Sequence, residues 1–245
     1  MLFILIIVLA VVLYVGGMIL FGYATMFRPP AELVETTVKP VSGKDTPGII
    51  ADSTLTLLTW NLGYGGLGKE VDFFYDGGKM VTSPKEHVEK NVNGIKNFLA
   101  QNSNTDFIIL QEVDLNSKRS YKINEADEYA KMLADDNYTF AINYNVKYLP
   151  FPFTDPIGKV LSGLQTFSKY TPVESKRIAL PNITDFPRMI FYLRRCLLMQ
   201  RYKLANGKDF VLINAHFEAY DKGGLVKKEQ RALTKKILEE EYAKG

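Results

Sequence analysis

The chain has 245 residues, 47% of them hydrophobic and 23% charged. That is a globular composition, and it excludes a disordered, a collagen-like or a multi-span membrane protein. One cysteine, Cys196, and two histidines, His87 and His216, exclude an internal disulfide framework, a Cys-rich zinc module and a His-rich metal site. A net charge of +3 is too small to imply nucleic acid by itself.

Residues 1–27 contain no Lys, Arg, Asp or Glu. Leu2 to Phe27 is a nearly unbroken apolar run that ends at Arg28-Pro29-Pro30. As a helix it would reach about 39 Å, more than the ~30 Å hydrocarbon core of a bilayer. A retained transmembrane anchor over 1–27 is the expectation. A cleaved signal peptide is the competing reading. Against it, no basic n-region precedes the run, the run is long for an h-region, and Gly22-Tyr23-Ala24 is a poor cleavage site. Arg28, Lys39 and Lys44 after the span favour a cytoplasmic carboxyl side. A single amino-terminal anchor ahead of a large domain favours export, and an extracytoplasmic domain is expected. Residues 28–52, with Pro29, Pro30, Pro40, Gly43, Pro47 and Gly48, read as a linker, a stalk between membrane and domain.

From 53 to 245 the pattern is α/β. Thr54–Trp60 is a strand that runs into the glycine-rich Asn61–Gly66. Ser83-Pro84-Lys85-Glu86 opens a helix, with Ser83 at N-cap and Pro84 at N1, and Val88, Val92, Ile95 and Leu99 give its apolar stripe. Asp106–Leu110 is a buried strand followed by Gln111-Glu112-Val113-Asp114. A helix is expected over Glu125–Asp135 and strands over Tyr138–Tyr144, Gly163–Ser168, Arg195–Tyr202 and Phe210–His216. A last helix covers Leu225–Tyr242.

Polar groups stand at strand ends: Asn61, Glu112, Asn214 and His216. Ligands of α/β sheets bind at carboxyl ends of strands. One carboxylate with a neighbouring Asn and His suits a hard divalent cation carrying a phosphate, because magnesium keeps most of its waters and takes one or two carboxylates. Each residue also has a plain reading: Glu112 as a cap or ion-pair partner, Asn61 as turn chemistry. His87, flanked by Lys85, Glu86, Glu89 and Lys90, reads as a solvated surface residue, and Cys196 as a core thiol. Gly63, Gly65 and Gly66 make no P-loop, since no Gly-Lys-Ser/Thr follows.

In order, Thr59-Trp60-Asn61-Leu62-Gly63, Leu110-Gln111-Glu112-Val113-Asp114, Gly163–Tyr170 and Ile213-Asn214-Ala215-His216-Phe217 resemble the endonuclease/exonuclease/phosphatase superfamily. The resemblance implies a four-layer α/β/β/α sandwich of two packed mixed sheets. It implies that Glu112 binds Mg²⁺ (or Mn²⁺), that Asn61 orients metal or phosphate, and that His216 contacts the scissile phosphate. Arg119 is a candidate phosphate contact, and Asn214 is a substrate-side candidate that looks more like a supporting residue. The family pattern continues with Gly-Asp-x-Asn and ends with an Asp-His pair. Neither follows His216 here, so the expectation is a chain incomplete at its carboxyl end, inactive and poorly folded alone. The reading is thus a membrane-anchored, Mg²⁺-dependent phosphoesterase acting on a phospholipid-type or small phosphoester. An extracytoplasmic nuclease, a non-catalytic binding module of the same fold and a structural protein are its alternatives.

Two stretches bear on substrate. Arg188, Arg194, Arg195, Arg201, Lys203 and Lys208 read as exposed strand positions, or as a face toward an anionic ligand or lipid. Tyr144, Tyr148, Phe151 and Phe153, interleaved with Pro150, Pro152 and Pro156, read as a loop covering the core or approaching a membrane.

Overall fold

The computed structural model describes residues 1–52 and 54–244; Ser53, the expected start of the domain, and Gly245 lie outside the described residues. Its elements are α1 (Leu2–Ala24), β1 (Glu32–Val34), β2 (Thr37–Val38), β3 (Ile49–Ile50), β4 (Leu57–Asn61), α2 (Lys85–Gln101), β5 (Phe107–Asp114), α3 (Glu125–Met132), β6 (Asn137–Leu149), β7 (Gly158–Ser168), β8 (Glu174–Ala179), α4 (Arg188–Phe191), β9 (Cys196–Leu204), β10 (Asp209–Ala215) and α5 (Leu225–Ala243).

The strands form two five-stranded sheets. One runs β2-β6-β7-β5-β4; the other runs β1-β8-β9-β10, with β3 against the far end of β9. Both are mixed, since β4 is parallel to β5 and β3 is parallel to β9 while the other pairs are antiparallel. The period-two alternation of strand side chains explains the layering. On β5, Ile108 and Leu110 point to a cluster with Val88, Val92, Ile95 and Leu99 of α2 and Tyr129 of α3. Phe107 and Ile109 point the other way, to Tyr202 and Leu212 of the second sheet. On β9, Cys196 and Leu198 face Ala141 and Leu164 across the sheets, while Leu197 and Met199 meet Ile237 of α5. The result is the four-layer α/β/β/α sandwich. Each fully buried aliphatic or aromatic side chain contributes roughly 1.5–3 kcal/mol. β4 and β10 are the edges on one side, and Leu57 and Trp60 of β4 are exposed.

Several expectations are corrected. The apolar helix ends at Ala24, not Phe27, and Thr25 caps it by donating from Oγ1 to the Phe21 carbonyl. It is long and apolar enough to cross a membrane. Residues 28–52 are not a free stalk. β1 pairs with β8 in one sheet, β2 with β6 in the other, and β3 with β9. Ile50 is in the core. The prolines and glycines cut this segment into two- and three-residue strands without releasing it from the sheets. The helix after Pro84 starts at Lys85 with Pro84 itself at N-cap, because the Pro84 backbone is extended there (ψ 147°). The Ser83 hydroxyl is buried without a partner. His87 is half-buried, its Nδ1 enclosed, and not solvated as expected. The 188–208 cations do not make one basic face. Arg195 is buried on Glu218, Arg201 pairs with Glu174, Asp209 and Glu241, and Lys203 pairs with Asp209.

Candidate functional site

Because β4 and β5 run parallel, their carboxyl ends lie side by side at Asn61 and Gln111. The second sheet brings the end of β10 across from them. Asn214 of β10 donates to the Leu110 carbonyl of β5 (3.0 Å) and accepts from Gln111 Nε2 (2.9 Å). This inter-sheet link fixes where the next residues of both strands emerge.

Glu112 emerges through a bulge. The register of β5 against β7 shifts between Leu110 and Val113, and Glu112 adopts a left-handed φ of 55°. A non-glycine residue there is strained, and such strain gathers at functional positions. The bulge turns the carboxylate out of the sheet alternation and into a cleft. Its Oε1 accepts from Asn61 Nδ2 (2.9 Å) and lies 3.5 Å from His216 Nε2. No hydrogen bond from the described residues reaches Oε2.

Asn61 is fixed at both ends. Its Oδ1 accepts the Gly63 N–H (3.0 Å), so its Nδ2 must face Glu112. In this arrangement its Nδ2 orients the carboxylate, and its Oδ1 is engaged by the Gly63 N–H. The following turn holds Gly63 (φ 53°), Tyr64 (φ 45°) and Gly65 (φ 62°) in succession in the left-handed region. Gly65 is required there, since a Cβ would lie 2.7 Å from Val92 of α2. The turn seats the Tyr64 ring 3.6 Å below the Arg119 guanidinium, and burial pushes the Tyr64 hydroxyl well above its usual range.

Arg119 is held by Asp114, which is fully buried, through Nε (3.1 Å) and Nη2 (2.9 Å). The guanidinium still lines the cleft. Asp114 is supported from behind by Glu125, which accepts the Asp114 N–H (3.0 Å). Burial and the Asp114 charge hold the Glu125 carboxyl above its usual range.

His216 follows β10. Arg195 Nη1 donates to its carbonyl (3.2 Å) and Arg195 Nε donates to Glu218 (3.1 Å). Glu218 also accepts from the Tyr192 hydroxyl and from the Ala219 and Tyr220 N–H groups. Burial, then the Arg195 charge, lower the His216 pKa against the pull of Glu112. The imidazole is therefore neutral at neutral pH.

Asn214 does not belong to the cleft. It is buried between the sheets and its amide is spent on Leu110, Gln165, Thr166 and Gln111. That corrects its assignment to substrate binding, and the reason is that Asn214 still lies within β10, facing the other sheet, while β10 ends at Ala215, before His216. Conversely, sequence reasoning missed Asp114 as the holder of Arg119 and the Arg195–Glu218 pair behind His216. The only local signal was a charged residue beside an apolar strand.

The cleft has a volume of about 540 Å³. Glu112, Arg119, Arg195 and His216 form one end, and Leu149, Phe151, Phe153 and Ile157 line its apolar side. A carboxylate with an open oxygen beside a guanidinium and a neutral imidazole suits an anionic ligand and a hard cation.

Neither a protein-family model nor a curated protein matches this sequence. The chain is similar to a crystal structure of an endonuclease/exonuclease/phosphatase from Beutenbergia cavernae DSM 12333, at 18% identity over 73% of this chain and 42% of that one, with a TM-score of 0.49. It is also similar to D. rerio TDP2 complexed with single-strand DNA product, at 17% identity over 77% of this chain and 56% of that one, with a TM-score of 0.45. The chain thus spans about half the length of these solved chains.

Proposed function

We propose that this protein is a membrane-tethered phosphoester hydrolase that works with a divalent cation, Mg²⁺ or Mn²⁺, its domain on the extracytoplasmic side. The observation that carries the reading is Glu112: a strained bulge aims its carboxylate into the cleft, Asn61 and His216 stand beside Oε1, and Oε2 is open. One hard oxygen ligand with room for water and phosphate fits Mg²⁺ or Mn²⁺, and Glu112 is the residue that would hold it. Such a cation supplies charge neutralisation at phosphoryl oxygens and acidifies bound water.

The chain's own residues do the rest. Asn61 locks the rotation of the Glu112 carboxylate. Arg119, clamped by Asp114 and stacked on Tyr64, presents a fixed positive charge to a non-bridging oxygen. His216 is neutral, so it can accept a proton at the phosphate and, once protonated, return it. Arg195 holds the His216 backbone and so sets where the ring lies. Asp114 is consumed by Arg119, so it is not the group that orients a nucleophile.

The test is a thermal melt of the full chain in nanodiscs, with Mg²⁺ and with EDTA, for the wild type and Glu112→Gln. Saturation at a hundred times the dissociation constant stabilises by about 2.7 kcal/mol, or about 5–11 °C at 2–4 °C per kcal/mol. That shift is expected in the wild type and absent in Glu112→Gln. Hydrolysis of bis(4-nitrophenyl) phosphate, where measured, falls by ~10²–10³ in the variant. Equal shifts in both proteins refute the assignment of Glu112.

A further inference from the structure

The apolar helix α1 does more than precede the domain. Tyr14, Val15, Met18 and Ile19 line the same cleft as Glu112 and His216. Their spacing of one and four residues makes them one face of the helix. Gly22, one turn further, continues that face and is buried against α4. A Cβ there would come within 2.5 Å of the Phe191 ring and 2.8 Å of Ile190. A small residue at this point lets the helix backbone approach closely. On this face Met18 and Ile19 are half-buried, Val15 is 43% and Tyr14 59% exposed; Leu13 and Leu20, off it, are 66% and 69% exposed.

Resting on the phosphoester reading above, we propose that the occupant of this cleft is a membrane phospholipid. Its phosphate lies at Glu112, Arg119 and His216, and one acyl chain runs along the Tyr14–Ile19 face of α1, which makes the helix a wall of the binding site.

Depth is the first argument. With α1 across a bilayer, Ile19 lies about 8 Å and Tyr14 about 15 Å below the end of the helix at Ala24, at 1.5 Å per residue. Both depths fall inside the near leaflet of a ~30 Å core. The helical wall of the cleft is therefore at the level of lipid chains, where an acyl chain fills it at no desolvation cost and a purely polar ligand does not. The rim is the second. Phe151 (48% exposed), Phe153 (76%) and Phe186 (68%) stand bare beside the cleft, a cluster unfavourable in water and suited to the headgroup–acyl boundary. The third is charge. Where α1 ends, Arg28 covers the Tyr23 ring and Arg188 covers Tyr192. Arg194 reaches Met26 and the Met189 carbonyl. Cations and aromatic rings at that level match a phosphate-bearing interface. The fourth concerns the competing ligand. Arg195, Arg201 and Lys203 are consumed by Glu218, Asp209 and Glu241 and so supply no basic track for a nucleic-acid strand beside the cleft. A cleft of about 540 Å³ suits one small amphiphile.

The experiment uses the full chain in phosphatidylcholine vesicles containing a phosphatidylglycerol with a diazirine on one acyl chain. Adducts are mapped by mass spectrometry after irradiation. Leu149 and Ile157 line the cleft and are only 8% and 9% exposed, so bulk lipid does not reach them. Adducts at these two residues are expected. Val15→Trp combined with Ile19→Trp fills the helical side of the cleft and should cut them at least fivefold. Leu13→Trp, on a bare face, should leave them unchanged. Adducts confined to Leu13, Leu20 and other bare positions of α1 overturn the proposal, and a Mg²⁺ shift retained in that case leaves the phosphoester reading standing. Adducts at Leu149 and Ile157 without any Glu112-dependent Mg²⁺ shift overturn the phosphoester reading, and with it the headgroup half of this proposal.

Discussion

Replacing Glu218 by Gln should unfold the site from behind. Arg195 and Glu218 have side chains only 4% and 1% exposed, 3.1 Å apart. Glu218 also accepts the Tyr192 hydroxyl (2.7 Å) and the N–H groups of Ala219 (3.1 Å) and Tyr220 (2.9 Å). Burial alone would raise its carboxyl; Arg195 and these hydrogen bonds reverse that and hold it below the usual range. Gln keeps the shape and an acceptor but leaves Arg195 buried without a counter-charge. Breaking one side of a buried pair costs about 3–5 kcal/mol, and at about 2–4 °C per kcal/mol the melting temperature falls by about 6–20 °C at pH 7. The full chain in nanodiscs, melted by near-UV circular dichroism, gives the number. Glu218→Leu combined with Arg195→Met should recover most of the loss, since replacing both partners removes the stranded charge. The sign with pH follows from the depressed carboxyl. Its contribution is present above the unfolded value of ~4.3 and is lost as pH falls through the folded value. The gap between wild type and Glu218→Gln should therefore narrow as pH falls below the unfolded value of ~4.3. A drop of less than about 2 °C at pH 7, or a double variant no better than the single, would refute the account.

Asp136 is buried, its Oδ2 has no partner, and burial pushes its carboxyl up to about 7. The folded state therefore takes up a proton that the unfolded state has lost above ~3.9, so wild-type stability declines as pH rises from about 4 to 7. Asp136→Asn should melt roughly 2–8 °C higher than wild type at pH 8, for ~1–2 kcal/mol of desolvation avoided, and at the same temperature as wild type at pH 3.5; a constant difference at both pH values contradicts this. Asn214→Leu should lower the melting temperature by at least about 2 °C, because each stranded buried partner costs ~1–3 kcal/mol. It should keep the Mg²⁺ shift, whereas a lost shift with an unchanged melt would return Asn214 to the cleft. Gly65→Ala forces a Cβ onto Val92 at a left-handed φ, a cost of roughly 1–2 kcal/mol. It should lower both the melt and the Mg²⁺ response by displacing Tyr64 from Arg119, and a silent substitution would show that the turn tolerates a side chain.

Much of the architecture was legible because it is local. The stripe Val88, Val92, Ile95 and Leu99 specifies α2 by its 3.6-residue period, and the short unbroken apolar runs at 107–110 and 196–199 specify strands with two buried faces. Strand-end placement brought Asn61, Glu112 and His216 into view as a group. What the sequence hid is whatever depends on a partner far along the chain. The short strands β1, β2 and β3 carry too few residues for a period, and only edges offered by β8, β6 and β9 make them strands. The basic residues from 188 to 208 look like a surface until Glu174, Glu218 and Glu241 close on them. Asn214 and His216 share a strand face by alternation, yet one is spent between the sheets and the other reaches the cleft, because the strand ends between them. The helix α1 shows the division most plainly. Its uniform apolarity makes it long and apolar enough to cross a membrane, but it has no polar face to say which side meets the domain. That was decided by Phe191 and Ile190 closing on Gly22, a contact between residues 168 or more positions apart that no local pattern encodes.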